Sequence, residues 1–231
     1  MNILSIIPAR SGSKGIYKKN IKNMAGKPMI GWTIEAALGA QHPSRVIVST
    51  DDVEIAEVAK AFGAEVPFLR PSEFSTDTAS PVDAVLHALD WLARTENFFP
   101  NAVLLLQPTS PLRTSEDIDA VVDLFQKRSP EAVVSVGEVR HPVAWLRKIG
   151  SSGELLPWRP DLLATRRQNS ETLYQLNGAI YFVGYDVLLQ KKTFLPESSL
   201  AYVMPPERSI DIDVPWEFHL AELVLRDKYA R

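Results

Sequence analysis

The sequence predicts an α/β protein built on a mostly parallel sheet with helices on both faces. Short apolar runs at Ile3–Ile7, Arg45–Ser49, Val103–Leu106 and Ala132–Val136 recur through the first 140 residues, each bounded by turn or polar residues. Helical periodicity lies between them. Val82, Val85, Leu86, Leu89 and Leu92 share one helix face, and Ile118, Val121, Val122 and Phe125 repeat the pattern. Such alternation reads as βαβ units. In sheets of this kind ligands bind beyond the carboxyl ends of the strands, so the loops after Ile7, Ser49 and Leu106 are where chemistry is expected.

Each later element has its own signal. Thr114 or Ser115 caps the second helix, ahead of Glu116 and Asp117. From His141 to Leu176 the pattern breaks: two tryptophans, three prolines and four arginines appear with little periodicity. A loop this long is uncommon unless it is functional or packed against something, and we read it as an extended arm that docks on a partner subunit. Gly178–Val183 and Ala201–Met204 read as strands. Pro215–Tyr229 reads as a closing helix with proline in its first turn.

Composition narrows the function. The chain has 231 residues, 45% hydrophobic and 23% charged, which suits an ordinary globular core. A formal net charge of −3 argues against a general nucleic-acid binder. There is no cysteine, which excludes disulfides, thiolate catalysis and zinc–thiolate sites. No apolar run approaches the ~20 residues of a membrane span, and no secretory signal is visible. The expectation is a cytoplasmic protein with neither membrane nor nucleic acid as partner. The four histidines show no metal-ligand spacing.

Three loops carry unusual groupings. The first strand opens into Pro8-Ala9-Arg10-Ser11-Gly12-Ser13-Lys14-Gly15-Ile16-Tyr17-Lys18-Lys19-Asn20. Arg10, Lys14, Lys18, Lys19, Lys22 and Lys27 all precede the first acid, Glu35. Glycines admit phosphates close to the backbone and cations neutralise them, so this loop suits a nucleoside triphosphate. It is neither a Walker A sequence nor G-x-G-x-x-G. The second is Gln107-Pro108-Thr109-Ser110-Pro111-Leu112-Arg113, where prolines stiffen the loop and Gln107 offers donors and acceptors. The third is Ser209-Ile210-Asp211-Ile212-Asp213. If it is extended, Asp211 and Asp213 share one side and the isoleucines face the core. Paired carboxylates repel unless a cation joins them, and two carboxylates with substrate phosphates is how magnesium is usually held. Asp51 and Asp52 are a further acidic element, with Asp52 also fitting a helix cap.

These loops in this order resemble the acylneuraminate cytidylyltransferase family, the CMP-sialic acid synthetases, over nearly the whole chain. Val48-Ser49-Thr50-Asp51, Leu69-Arg70-Pro71 with Asp77-Thr78-Ala79-Ser80, Arg167-Gln168 and Asn177-Gly178-Ala179-Ile180-Tyr181 add to the resemblance. It implies a three-layer, Rossmann-like nucleotide-diphospho-sugar transferase fold. The chain would be a single domain over 1–231 with a dimerisation arm at about 141–176 that exchanges between subunits. The partner would be a second copy, with a dimer of dimers as a further step.

The implied reaction joins CTP to a nonulosonic sugar acid and releases pyrophosphate, with Mg2+ as cofactor. By the resemblance, Arg10, Ser13, Lys14 and Lys19 serve the triphosphate, and Asn20, Arg70, Ala79 and Ser80 serve the cytidine. Gln107, Arg167, Gln175 and Tyr181 face the sugar acid, and Asp211 and Asp213 hold the metal. Asp211 is then a metal ligand or an activator of the attacking hydroxyl. Two positions depart from the family. Tyr17 stands where many relatives have proline, and Gln175 where some sialic acid enzymes have arginine. The second departure leaves N-acetylneuraminate and legionaminate both open as substrate. A CMP-Kdo synthetase or another sugar nucleotidyltransferase is the alternative within the class, and a non-catalytic nucleotide-binding protein the alternative outside it.

Overall fold

Alternation along the first strand explains why the core has two sides. In β1 (Ile3–Pro8), Ile3 and Ile7 enter one apolar cluster while Leu4 and Ile6 enter another, and all four are buried. A strand buried on both faces needs helices above and below it. The computed structural model describes residues 1–12, 15–76, 78–161 and 171–229, and these supply both layers.

A short hairpin, β2 (Asn23–Met24) and β3 (Lys27–Pro28), leads from the first loop into α1 (Met29–Gly39). Then follow β4 (Arg45–Ser49), α2 (Val53–Ala61), α3 (Pro81–Glu96), β5 (Ala102–Leu105), α4 (Ser115–Arg128) and β6 (Ala132–Glu138). A second hairpin, β7 (Arg147–Ile149) and β8 (Leu155–Pro157), stands in the arm. The chain closes with β9 (Tyr174–Gly184), α5 (Tyr185–Lys191), β10 (Ser199–Val203) and α6 (Pro215–Tyr229). Helices α1, α2 and α4 pack through Ile30, Ile34, Ile55, Ala59, Ile118 and Val121 on one face. Helices α3 and α5 pack through Val85, Leu89, Leu92 and Leu188 on the other. A third cluster seats α6, through Phe218, Ala221 and Leu225, on Met29, Trp32 and Ile212.

The six-stranded sheet runs in the order β10-β6-β9-β5-β1-β4. It is mostly parallel, as the sequence predicts, but β9 lies antiparallel between β5 and β6. The sequence marks only Gly178–Val183 of this strand. Its start, Tyr174 to Leu176, is exposed on both sides and shows no burial pattern, yet pairs with the far end of β6 beyond an irregularity between Val134 and Val136. Helix α1 shows no amphipathic signal for the opposite reason: seven of its eleven residues are buried, so no polar face repeats.

The caps expected at Thr114 and Asp52 are present, and the structure adds one at Ser80. Thr114 and Asp117 form a reciprocal capping box at α4, Ser80 and Asp83 form another at α3, and Asp52 caps α2. Asp117 has a second task. Its fully buried carboxylate accepts hydrogen bonds from Arg208 Nε (2.9 Å) and Nη2 (2.8 Å) and from the Tyr202 hydroxyl (2.9 Å). That knot fixes the turn immediately before Ser209–Asp213. Burial pushes the Asp117 carboxyl up, but the bonds from Arg208 and Thr114 outweigh it and leave it below the usual aspartate value. Its stabilising share is therefore present above the unfolded aspartate range and lost as pH falls through the lower folded-state value. We expect Asp117→Ala to lower stability by about 3 kcal/mol at neutral pH, with the difference shrinking in strong acid. Urea unfolding at several pH values measures both.

Candidate active site

A cleft of about 590 Å³ opens where the sheet ends, lined by the first loop, the segment around Arg70–Ala84, the loop after β5 and the Asp211–Asp213 segment. All three loops singled out in the sequence meet there.

On one side the first loop is held in shape by the end of β4. The Ser11 amide and hydroxyl donate to Asp51 Oδ1 (3.0 Å) and Oδ2 (2.8 Å). Buried Asn20 donates through Nδ2 to the Arg10 carbonyl at 3.0 Å, so its side chain braces the loop as well as lining the cleft. Arg70 is buried, with Nε on the Ser75 hydroxyl at 3.0 Å and Nη2 3.7 Å from Asp51. Burial lowers its pKa, Asp51 opposes that, and the nearby charge of Arg10 adds to it. Two cations converging beside one carboxylate leave a positive field for an anion. Ala79 and Ser80 line the same side, with Ser80 Oγ engaged as the cap of α3.

The cationic run is less concentrated than its sequence suggests. Lys18 pairs with Glu54, Lys27 pairs with Glu35 and lies over Trp32, and Lys22 lies over Phe218. Among the described residues of the run, only Arg10 and Lys19 line the cleft. Ser13, Lys14, Asp77 and Arg167 lie outside the described residues.

On the other side, Ile212 is fully buried while Asp211 and Asp213 face the cleft. The expected alternation holds, although the segment belongs to no strand. The Ile212 amide donates to the Thr109 carbonyl at 2.9 Å, which ties this segment to the loop after β5. Lys19 Nζ donates to the Ile212 carbonyl (2.5 Å) and to Asp213 Oδ1 (3.2 Å). Asp211 has an open face toward the cleft but sits low in it. Burial therefore raises its pKa, a hydrogen bond from Thr109 opposes this, and the charge of Asp213 adds to it. Two carboxylates facing one cleft are a hard oxygen donor set that fits a magnesium ion.

Gln107 meets this pair across a glycine. Gly178 has φ +72°, and a Cβ built there would lie 2.7 Å from Gln107 Oε1 and 3.2 Å from Asp211 Oδ2. Only glycine allows both side chains to approach so closely in that conformation. The buried Asn177 side chain beside it bonds to Ser135, Ala179 and Ser209.

Two expected sugar-side residues stand apart. Gln175 is exposed on the outer part of β9, paired with Gly137, because the strand's start runs out of the core toward the arm. Tyr181 packs against Phe194 in the core, its hydroxyl pKa raised first by burial and then by the charge of Asp211. Neither lines the cleft. Conversely, sequence reasoning gave no role to Thr109 or Arg113, and did not foresee that Asp51 would be the brace of the first loop. Arg113 is fully buried and donates through Nη1 to the carbonyls of Ala179 (2.8 Å) and Gln107 (3.3 Å). A separate cavity of about 900 Å³ lies behind this loop, between α1, α4 and α6, and contains none of the expected site residues.

The model of a family described as cytidylyltransferase matches residues 4–208. This chain belongs to the cytidylyltransferase family. It is 38% identical over 228 residues to a CMP-N,N'-diacetyllegionaminic acid synthase of Legionella pneumophila, with 97% of each chain covered. It is 39% identical to an N-acylneuraminate cytidylyltransferase of Escherichia coli O18:K1:H7, covering 98% of this chain but 52% of that longer protein. The solved structure of CMP:2-keto-3-deoxy-manno-octonic acid synthetase complexed with CTP superposes with a TM-score of 0.70 over 99% of this chain, at 18% identity. That likeness is one of fold. The cytidylyltransferase is thus a nucleotidyltransferase enzyme with a mixed, mostly parallel sheet. For such an enzyme the fit of the first loop against the aspartate segment is critical. A Cβ on Gly15 would lie 2.1 Å from the Asp213 carbonyl oxygen, a backbone atom that cannot rotate away. Gly15→Ala should cut nucleotidyl transfer by about a hundredfold, as misplacement near 1 Å does, with a nearly unchanged thermal midpoint. Pyrophosphate release and thermal melting check the two parts.

Proposed function

We propose that this cytidylyltransferase joins CTP to a nonulosonic sugar acid, N-acetylneuraminate or legionaminate, and releases pyrophosphate. One observation carries the reading: Arg10, Lys19 and Arg70 line the same cleft as Gln107 and the Asp211/Asp213 pair. The cleft therefore has a cationic half for a triphosphate and a half with carboxylates and a bidentate amide for the acceptor. The anomeric hydroxyl attacks the α-phosphorus in line, a new P–O bond forms, and the bond to the β-phosphate oxygen breaks as pyrophosphate leaves. Arg10 and Lys19, with Lys14 by the resemblance, neutralise charge growing on the leaving group. Asn20, Arg70, Ala79 and Ser80 position the nucleoside. Gln107, with Arg167 by the resemblance, orients the acid, and a guanidinium suits its carboxylate. Magnesium, when held by Asp211 and Asp213, supplies charge neutralisation at the phosphates. Asp211 lies beside Gln107, where the acceptor hydroxyl would sit, and would serve there either as a ligand of the metal or as the group that activates that hydroxyl.

The reading takes the chain as one catalytic domain whose arm joins two copies. The hairpin β7–β8 leaves Ile149 78% and Leu155 69% exposed, beside exposed Trp145 and Trp158. Exposure of this kind along one hairpin favours a partner surface. The pairing contributes a homodimer.

Purified protein with CTP, magnesium and a panel of nonulosonic acids should release pyrophosphate, and Asp211→Ala should abolish release while leaving the circular dichroism unchanged. Turnover with UTP or GTP in place of CTP would overturn the reading. Arg167→Ala should raise KM for the sugar acid and leave KM for CTP unchanged in initial-rate assays. A protein carrying both Ile149→Asp and Leu155→Asp should sediment as a monomer where the wild type sediments as a dimer.

A further inference from the structure

We propose that Arg113 is a positioning residue for the acceptor half of the cleft, acting through the backbone on Gln107 and Asp211. The inference rests on the sugar-acid reading of that half. Arg113 touches no part of the cleft itself. It is 2% exposed, and burial pushes its guanidinium down to about 9, with only the field of Asp117 opposing. Nε and Nη2 have no hydrogen-bond partner among the described residues.

The bonds that Arg113 does make have a clear geometry. Nη1 donates to the carbonyl of Gln107, where the chain leaves β5, and to that of Ala179, one residue past Gly178 in β9. The separation of the Gln107 and Gly178 backbones bears on how closely Gln107 Oε1 and Asp211 Oδ2 approach each other, since both oxygens occupy the space a Cβ at Gly178 would need. A second tie, Ser110 Oγ to the Asn177 carbonyl at 3.2 Å, acts on the same two segments from within the same loop. Neither tie touches Arg10, Asn20, Arg70 or Ser80. A clamp on this joint alone should affect the acceptor and spare the nucleotide.

The test uses R113M, which fills a similar volume, carries no buried charge and makes neither bond, together with R113K, which keeps the charge. In steady-state assays with CTP, magnesium and the preferred sugar acid, R113M should raise KM for the acid about tenfold. KM for CTP should stay within about twofold. Its thermal midpoint should be equal to or above the wild type, as expected when a buried charge is replaced by an apolar side chain. In a double-mutant cycle, Q107A should add little to R113M, whereas R70K should add its full effect. An equal rise in both KM values, full additivity with Q107A, or an unfolded R113M beside an R113K with wild-type constants would each overturn the proposal. A wild-type enzyme that uses no nonulosonic acid would overturn the substrate reading and this inference with it. A wild type that does use one, with variants that show no split, overturns this inference alone.

Discussion

The cleft depends on one buried amide. Asn177 Oδ1 accepts from the Ser135 hydroxyl (2.6 Å) and the Ala179 amide (3.2 Å), and Nδ2 donates to Ser209 Oγ (3.1 Å) and lies 3.3 Å from Met204 Sδ. An amide buried this deeply must be satisfied, and here its partners come from β6, β9, the end of β10 and the segment that carries the aspartates. The backbone carbonyl of Asn177 accepts from Ser110 Oγ, so the loop after β5 joins the same network. The antiparallel placement of β9 is what brings Asn177 to this point. A parallel strand there would enter from the opposite end and leave the Asp211 segment with no buried anchor.

Part of the site's charge is paired before any ligand arrives. Asp51 faces Arg70, Lys19 faces Asp213, and outside the cleft Lys18 and Lys27 pair with Glu54 and Glu35. The first two pairs also fix a backbone: Asp51 holds the amide of Ser11, and Lys19 holds the carbonyl of Ile212. Electrostatic preorganisation of this kind leaves little for the protein to rearrange when a polyanion binds. The cost falls on Arg70 and Asp211, whose pKa values burial shifts toward the neutral forms.

The arm and the cleft share one strand. Tyr174 to Leu176 continue β9 out of the core toward the arm, while two residues past Leu176 the same strand reaches Gly178, against which the Gln107 and Asp211 side chains lie. The arm is therefore joined to the Gln107 and Asp211 pair through the β6–β9 ladder, which is interrupted once between Val134 and Val136. Gln175 lies on that link and not in the cleft, so any contact it makes with the acceptor would depend on how the arm is placed.

Much of this was legible in the sequence wherever one residue type leaves one physical option. Ile3 to Ile7, Val103 to Leu106 and Ala132 to Val136 are apolar apart from Ser5 and Ser135, and short runs of that kind bounded by turn residues suit a strand buried on both faces. The caps at Asp52 and Thr114, the alternation about Ile212 and the glycine-bearing loop after β1 follow from local geometry in the same way. The antiparallel reversal of β9 was not legible, because strand direction leaves no trace in side-chain alternation. Nor was the division of the first loop's cations, since Lys18 and Lys27 read like Lys19 until Glu54 and Glu35 are brought beside them. Asp51, Thr109 and Arg113 gained their roles in the same manner, from partners distant in the chain. The sequence alone marked the strands of the main sheet, the helices α3, α4 and α6, the family and the three loops that matter. Tertiary structure decided which charges remain in the cleft and which oxygens meet across Gly178, because both depend on distances that only packing sets.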